Sequence, residues 1–301
     1  MTKGVILMNF GSKHFAHLVC CLYSLRRHYS GDIVILHDES NEELTKRIAE
    51  QDPKKITFPI RFKPFTREEL GNGSGYLNKT RLIDLMPFAR AVFLDCDTLV
   101  VDKFDALFPD SNEVRLTQFC DWKTNGNKMS KRIGRWKEVM NEQATLQMEL
   151  EYPAINTGVM GLSKTSKNLS IEWQRVCRLN ISFMCDELAM QLIFLKFPHV
   201  VLPDAYNCSP IYRTEDHKDE DVKIWHGHGQ KFLRSSNGLR IYMPTLLEMW
   251  TDNTYCIREA FCSNRYFRRL EADPVAFIKE YAKDKADKII ESNGINEHTF
   301  N

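Results

Sequence analysis

The sequence predicts an α/β fold built on a mostly parallel central sheet with helices on both faces. Three observations carry this reading. The first 51 residues alternate between short apolar runs and amphipathic segments, in the order strand, helix, strand, helix. The strand candidates are continuous apolar runs, the pattern of strands buried on both faces. Finally, 301 residues, 43% of them hydrophobic and 11% aromatic, suffice for one large core or two smaller ones.

Gly4-Val5-Ile6-Leu7-Met8-Asn9-Phe10-Gly11 is the first strand, ending in a polar turn. From His14 to Tyr29, Phe15, Leu18, Val19, Leu22 and Leu25 recur at helical spacing, and Gly31 closes the helix. Ile33 to Leu36 is a second strand ending at His37-Asp38, and Asn41 to Gln51 a second helix. Ile56 to Phe65, broken by Pro59 and Pro64, reads as an edge strand, and Lys79 to Met86 as a helix stopped by Pro87. Ala91 to Asp102 is the next buried run. Val114 to Phe119 is strand-like, and the polar stretch 121–152, with Trp122 and Trp136, reads as an insertion. Ala154 to Leu162 is a strand interrupted by Asn156-Thr157-Gly158. Helices over Leu169–Leu179 and Asp186–Phe197, a strand at Val200–Pro203 and a strand from Ile224 into the turn Gly227-His228-Gly229 complete a catalytic domain expected over 1–241. Residues 242–301 read as a C-terminal helical extension with Phe277, Ile278, Tyr281 and Ile289 on one face, and its basic, aromatic run at 264–269 reads as a solvated face.

Composition excludes several function classes. Lys and Arg total 41 against 40 Asp and Glu, so no whole-molecule field favours nucleic acid. No apolar run approaches the ~20 residues that cross a bilayer, so no transmembrane segment is expected. The nine cysteines are scattered, without zinc-type spacing, and no secretory pattern precedes them. Reduced, buried thiols in a cytoplasmic compartment are the expectation.

The run Ala91-Val92-Phe93-Leu94-Asp95-Cys96-Asp97-Thr98-Leu99-Val100 places two carboxylates inside an apolar strand. In an extended chain, Asp95 and Asp97 project to one side while Cys96 packs on the other. Two adjacent buried carboxylates repel, which is costly unless a cation or a donor network compensates. A hard divalent ion, Mn2+ or Mg2+, suits oxygen ligands and also binds a nucleotide diphosphate. Taken by itself, an Asp-x-Asp pair more often only caps the following turn.

Phe93 to Val100, followed by Phe104-Asp105-Ala106-Leu107-Phe108, resembles the metal-binding strand of the retaining nucleotide-sugar glycosyltransferases of family 8, most closely the glycogenin-like members. The resemblance spans residues 1 to 235 and implies the GT-A fold, a Rossmann-like nucleotide-diphospho-sugar transferase architecture. It also implies that Asp95 and Asp97 bind the ion, with Asp95-Cys96-Asp97 as donor-binding segment. Lys79 matches a basic residue near the donor phosphate and sugar. Asn156-Thr157-Gly158-Val159 resembles a segment whose amide contacts the donor sugar, and Asp186-Glu187 resembles the Asp-Gln pair beside the reacting carbon, with Glu in place of Gln. His226-Gly227-His228-Gly229-Gln230-Lys231 resembles the closing motif, where a histidine is the third metal ligand and the glycine and lysine meet the diphosphate. His226 is the assigned ligand and His228 the alternative. The Lys231 spacing is one residue shorter than in the family pattern.

The implied reaction is metal-dependent transfer of a hexose, UDP-linked in most of the family, to a glycan or protein hydroxyl with retention of configuration. Lys79 and Lys231 would meet charge on the departing phosphate. Asp186 or Glu187 would stand at the anomeric carbon as nucleophile or stabiliser. Asn9, Phe10 and Gly11 after the first strand, with Asp38 after the second, would hold base and ribose. Homodimerisation stays open. Rival readings are a sugar-nucleotide or glycan-binding protein without turnover, a phosphatase of the haloacid-dehalogenase type, and a nucleotidyltransferase. The phosphatase pattern needs Thr four residues after the first aspartate, whereas Thr98 lies three after Asp95. The nucleotidyltransferase lacks its Gly-rich phosphate loop.

Overall fold

In a computed structural model of the chain, the described residues are 3–10, 14–70, 75–119, 153–179, 185–210, 221–227, 241–242, 244–246, 248–249, 265–282 and 286–292. The expected insertion at 121–152 with Trp122 and Trp136 lies outside them. So do Gly11, His228, Gly229, Lys231 and Asn264, and the side chains of Arg265, Tyr266, Phe267, Tyr281 and Ile289.

The alternation read from the first 51 residues produces β1 (Lys3–Asn9), α1 (Phe15–His28), β2 (Asp32–His37) and α2 (Glu42–Glu50), followed by β3 (Thr57–Arg61). β1 pairs in parallel with β2, and β2 with β3, which is the sheet edge where Pro59 is tolerated. β4 (Arg90–Leu94) pairs in parallel with the opposite side of β1. β5 (Thr98–Val100) leaves the main sheet. β6 (Val114–Gln118), β7 (Ile155–Ser163) and β8 (His199–Leu202) complete seven strands in the order β3-β2-β1-β4-β7-β6-β8. Only β7 runs against its neighbours, so the sheet is mostly parallel as expected.

The two-residue period of a strand divides these apolar runs between two cores. Val5, Leu7, Ile33, Ile35, Val92 and Leu94 pack with Leu18, Val19, Leu22 and Leu25 of α1. Ile6, Met8, Val34, Leu36, Ala91 and Phe93 pack on the other face with α3 (Lys167–Leu179) and α4 (Cys185–Ile193), through Leu169, Trp173, Met190 and Ile193. Each fully buried side chain of this size contributes roughly 1.5–3 kcal/mol. Three further helices, α5 (Arg265–Ala272), α6 (Pro274–Ala282) and α7 (Ala286–Ser292), add Leu270, Phe277, Ile278 and Ala286 to the α1 side. No helix among the described residues is long and apolar enough to cross a membrane.

A buried ion pair braces the first half. Arg26 of α1 donates through Nε and Nη2 to both oxygens of Asp52, each at 2.8 Å. The Thr57 hydroxyl donates to Asp52 Oδ2 at 2.7 Å, and the backbone N–H groups of Lys54 and Ile56 donate at 3.1 Å. Burial pushes the Asp52 pKa up, yet the Arg26 and Thr57 bonds outweigh it and hold the carboxyl below its usual range.

The structure corrects three local expectations. The run Ala91 to Asp102 is two strands rather than one, because Asp95-Cys96-Asp97 forms a tight turn between β4 and β5, closed by the Thr98 N–H donating to the Asp95 carbonyl at 3.1 Å. The pair therefore converges through turn geometry and not through strand alternation. Lys79 sits in a 3₁₀ segment, Gly75–Arg81, with a single α turn at Leu82–Leu85 after it. Asn156-Thr157-Gly158 does not interrupt β7, which runs unbroken and absorbs the irregularity as a register shift against β6 between Leu116 and Thr117.

Candidate functional site

Strand order reverses between β1 and β4, and ligands of open α/β sheets bind beyond the strand carboxyl ends at such a point. A cavity of about 340 Å3 opens there, lined by Asn9, Phe10, Lys79, Asp95, Cys96, Asp97, Asn156, Thr157, Gly158, Asp186, Glu187 and His226 among others. A volume above about 300 Å3 is that of a small-molecule site.

Three backbone pairings bring these residues together from distant parts of the chain. β7 runs antiparallel to β4, so its first residues lie beside the end of β4, where the Asp95 N–H donates to the Gly158 carbonyl at 2.7 Å. β9 (Ile224–His226) pairs antiparallel with β5, setting His226 opposite Thr98. The Gly227 N–H then donates to the Asp97 carbonyl at 2.9 Å. α4 starts at Cys185, which places Asp186 and Glu187 in its first turn on the far wall.

Asp95, Asp97 and His226 each present a ligand atom within 4.8 Å of the others. His226 Nε2 lies 3.3 Å from Asp97 Oδ1 and 3.8 Å from Asp95 Oδ2. Two carboxylate oxygens and one imidazole nitrogen suit Mn2+ in particular, and Mg2+ through the carboxylates. The residues present thus fit the divalent ion that the sequence resemblance implies. Gly158 is required for this approach, since a Cβ there would stand 2.1 Å from His226 Cε1.

The electrostatics are unbalanced. Lys79 Nζ lies 3.0 Å from both Asp95 Oδ2 and Asp186 Oδ2, over the faces of Tyr76 and Phe93. Burial lowers the Lys79 pKa, but Asp186 and Asp95 outweigh it and raise the net value. Asp95, in contrast, is raised, first by burial and then by Asp97, with Lys79 and His226 opposing. One ammonium is divided between two carboxylates, so Lys79 is held protonated while the Asp95 carboxyl stays above its usual range. For His226, burial lowers the pKa and the charge and hydrogen bond of Asp97 more than restore it, leaving it raised.

Further hydrogen bonds fix the far wall. Thr157 Oγ1 donates to Asp186 Oδ2 at 2.7 Å, and Trp173 Nε1 donates to the Asp186 carbonyl at 2.7 Å. Asn156 Nδ2 donates to Glu187 Oε2 at 2.6 Å. The Cys96 thiol donates to the Met8 carbonyl at 3.3 Å. Asp38 does not line the cavity, and its carboxylate accepts hydrogen bonds from Ser40 and Asn41. Asn9 does line it, 1% exposed and with neither side-chain polar atom hydrogen-bonded among the described residues.

Sequence reasoning missed Tyr76, Gly75, His14, Met8 and Phe93, which also line the cavity. Tyr76 was accessible in principle, because residues three apart eclipse in a 3₁₀ turn and Tyr76 precedes Lys79 by three. The helix expected from Lys79 onward hid that relation.

No protein-family model matches the sequence, and no curated protein matches it. Solved structures do. The galactosyltransferase LgtC, in complex with donor and acceptor sugar analogues, aligns with a TM-score of 0.52 at 14% identity over 75% of this chain and 87% of its own. An active-site mutant of LgtC aligns with a TM-score of 0.55 at 13% identity over 81% of this chain and 95% of its own. The glycosyltransferase GlyE of Streptococcus pneumoniae TIGR4 aligns with a TM-score of 0.55 at 14% identity over 84% of this chain and 64% of its own. The chain therefore has the fold of these glycosyltransferases, the GT-A arrangement that the sequence resemblance implies.

Proposed function

We propose that the chain is a metal-dependent glycosyltransferase that moves a hexose from a nucleotide-diphosphate sugar, UDP-linked, to a hydroxyl acceptor with retention of configuration. The observation that carries this reading is the meeting of Asp95, Asp97 and His226 on one wall of a cavity whose other wall is Asp186 and Glu187, with Lys79 between. Such an arrangement separates a site for a cation and a diphosphate from a site for developing positive charge on a sugar. The shared fold with LgtC and GlyE supports the same assignment.

Asp95, Asp97 and His226 would hold Mn2+ or Mg2+, which when bound supplies Lewis-acid stabilisation of charge on the departing phosphate. Lys79, kept protonated by its two carboxylate neighbours, adds a fixed positive charge for the same purpose. Asp186 spends one oxygen on Lys79 and Thr157 and so positions the ammonium. Glu187 and Asp186 present negative charge to an oxocarbenium-like sugar. Asn9 brings an amide donor and acceptor, without hydrogen-bond partners among the described residues, to the mouth of β1, the complement of a heterocyclic base edge. Phe10, with Gly11, belongs to the same base and ribose assignment, from which Asp38 is left out because it does not line the cavity, while Gly229 and Lys231 would meet the diphosphate.

Incubation with UDP-glucose or UDP-galactose and Mn2+ tests the reading by release of UDP. Release that stops with EDTA is expected. Tight binding of either nucleotide sugar without release or transfer would favour a binding protein instead.

A further inference from the structure

The hydrogen bonds behind the cavity have one self-consistent direction, and it starts from a backbone group that can only donate. The Gly158 N–H donates to Asn156 Oδ1 at 2.8 Å, which orients the Asn156 amide and leaves its Nδ2 to donate to Glu187 Oε2. Because Asn156 Oδ1 is the acceptor, the Asn207 atom 3.0 Å from it is Nδ2. That same Nδ2 donates to Thr117 Oγ1 at 2.7 Å, whose own proton goes to the Val159 carbonyl at 3.0 Å. Asn207 Oδ1 then remains as the acceptor for His226 Nδ1–H, at 2.7 Å. With its proton fixed on Nδ1, His226 turns Nε2 toward Asp95 and Asp97. Asn207, Asn156, Thr117, Glu187 and His226 are each no more than 6% exposed, so water cannot substitute for a lost partner without cost.

We propose that Asn207 is a positioning residue that sets the ion-facing tautomer of His226 and, through Asn156, ties it to Glu187, so that one amide links the ion ligands to the sugar-facing carboxylate. This rests on the reading of Asp95, Asp97 and His226 as ion ligands. Asn207 itself does not line the cavity. It acts at both ends of the cavity because a primary amide donates and accepts at once, which neither Asp nor Ala can do.

Two variants separate the two ends, with MnCl2 titrated calorimetrically into each. Asn207→Ala removes the acceptor for His226 and should weaken Mn2+ binding about 10- to 100-fold. Asn207→Asp keeps that acceptor and should hold Mn2+ affinity near or above that of the parent, while losing the donor to Asn156. A diamagnetic titration reads the link directly: MgCl2 should shift the Asn156 side-chain amide resonances in the parent protein and leave them unmoved in Asn207→Ala. A folded Asn207→Ala variant with parental Mn2+ affinity overturns the proposal, as does an Asn207→Asp variant weakened as much as Asn207→Ala. If Asn207→Ala does not fold, the parent titration decides, and unmoved Asn156 resonances overturn the link. A parent protein that binds no Mn2+ overturns the ligand reading itself, and the proposal with it.

Discussion

Two clusters of buried charge in this chain both set carboxylates against cationic side chains and reach opposite outcomes. Around Asp52, one carboxylate meets one guanidinium, and five donors from Arg26, Thr57, Lys54 and Ile56 cover its oxygens. Around the cavity, among the described residues, the four carboxylates of Asp95, Asp97, Asp186 and Glu187 face one ammonium and one imidazole. The Asp52 carboxyl is held below its usual range and the Asp95 carboxyl is driven above it. A balanced cluster is a brace, whereas an excess of carboxylates over cations among the described residues beside a cavity suits the divalent ion proposed above.

The sharpest way to break that contrast is to remove one surplus charge. Asp95→Asn should lower metal-dependent transfer by about a thousandfold, several kcal/mol of lost charge stabilisation. Its melting temperature without metal should not fall, because the replaced carboxylate is poorly compensated. A large loss of stability with activity retained would show Asp95 to be a brace.

Removing a charge from the balanced cluster should do the reverse. Arg26→Met strands a buried carboxylate, with an expected loss of about 3–5 kcal/mol in denaturant unfolding. Mn2+ affinity of the folded protein should stay at the parental value, and a matching loss of affinity would show that the clusters are not independent.

His17 of α1 is a third kind of buried titratable group. It is 3% exposed, packs edge-on against Tyr242, and neither ring nitrogen has a hydrogen-bond partner among the described residues. Burial, partly opposed by Asp97, lowers its pKa to about 4. Between that value and the unfolded value of ~6.5 the unfolded chain takes up a proton that the folded chain refuses. Stability should therefore fall as pH drops from about 7 to 4, by about 3 kcal/mol from this residue. Parallel unfolding curves for the parent and His17→Leu over that range would refute the assignment. The smallest effect should come from Gly158→Ala, which forces His226 aside. About a tenfold loss of Mn2+ affinity by calorimetry is expected, with a stability loss of about 1–3 kcal/mol from the added methyl against buried His226 and Asn156.

Much of this was legible in the sequence for physical reasons. Continuous apolar runs could only be doubly buried strands, which made the parallel half and its ligand edge readable. The family resemblance names Asp95, Asp97 and His226 together, with His228 as the alternative, and the first three present ligand atoms within 4.8 Å of one another. What stayed hidden depends on contacts between distant segments. The turn at Asp95-Cys96-Asp97 exists because β5 leaves the sheet to pair with β9, a partner more than 120 residues away. Arg26 and Asp52 gave no local sign of pairing, since neither stands in a motif. Asn207 acquires its meaning only from Asn156 and His226, whose alignment no spacing encodes.

The most direct measurement is calorimetric titration of UDP into the parent protein with Mn2+ and again with EDTA. If Asp95, Asp97 and His226 hold an ion that receives the diphosphate, UDP binds in the first case and its affinity falls at least about a hundredfold in the second. Equal affinity in both, or no binding in either, would contradict the assignment of the cavity.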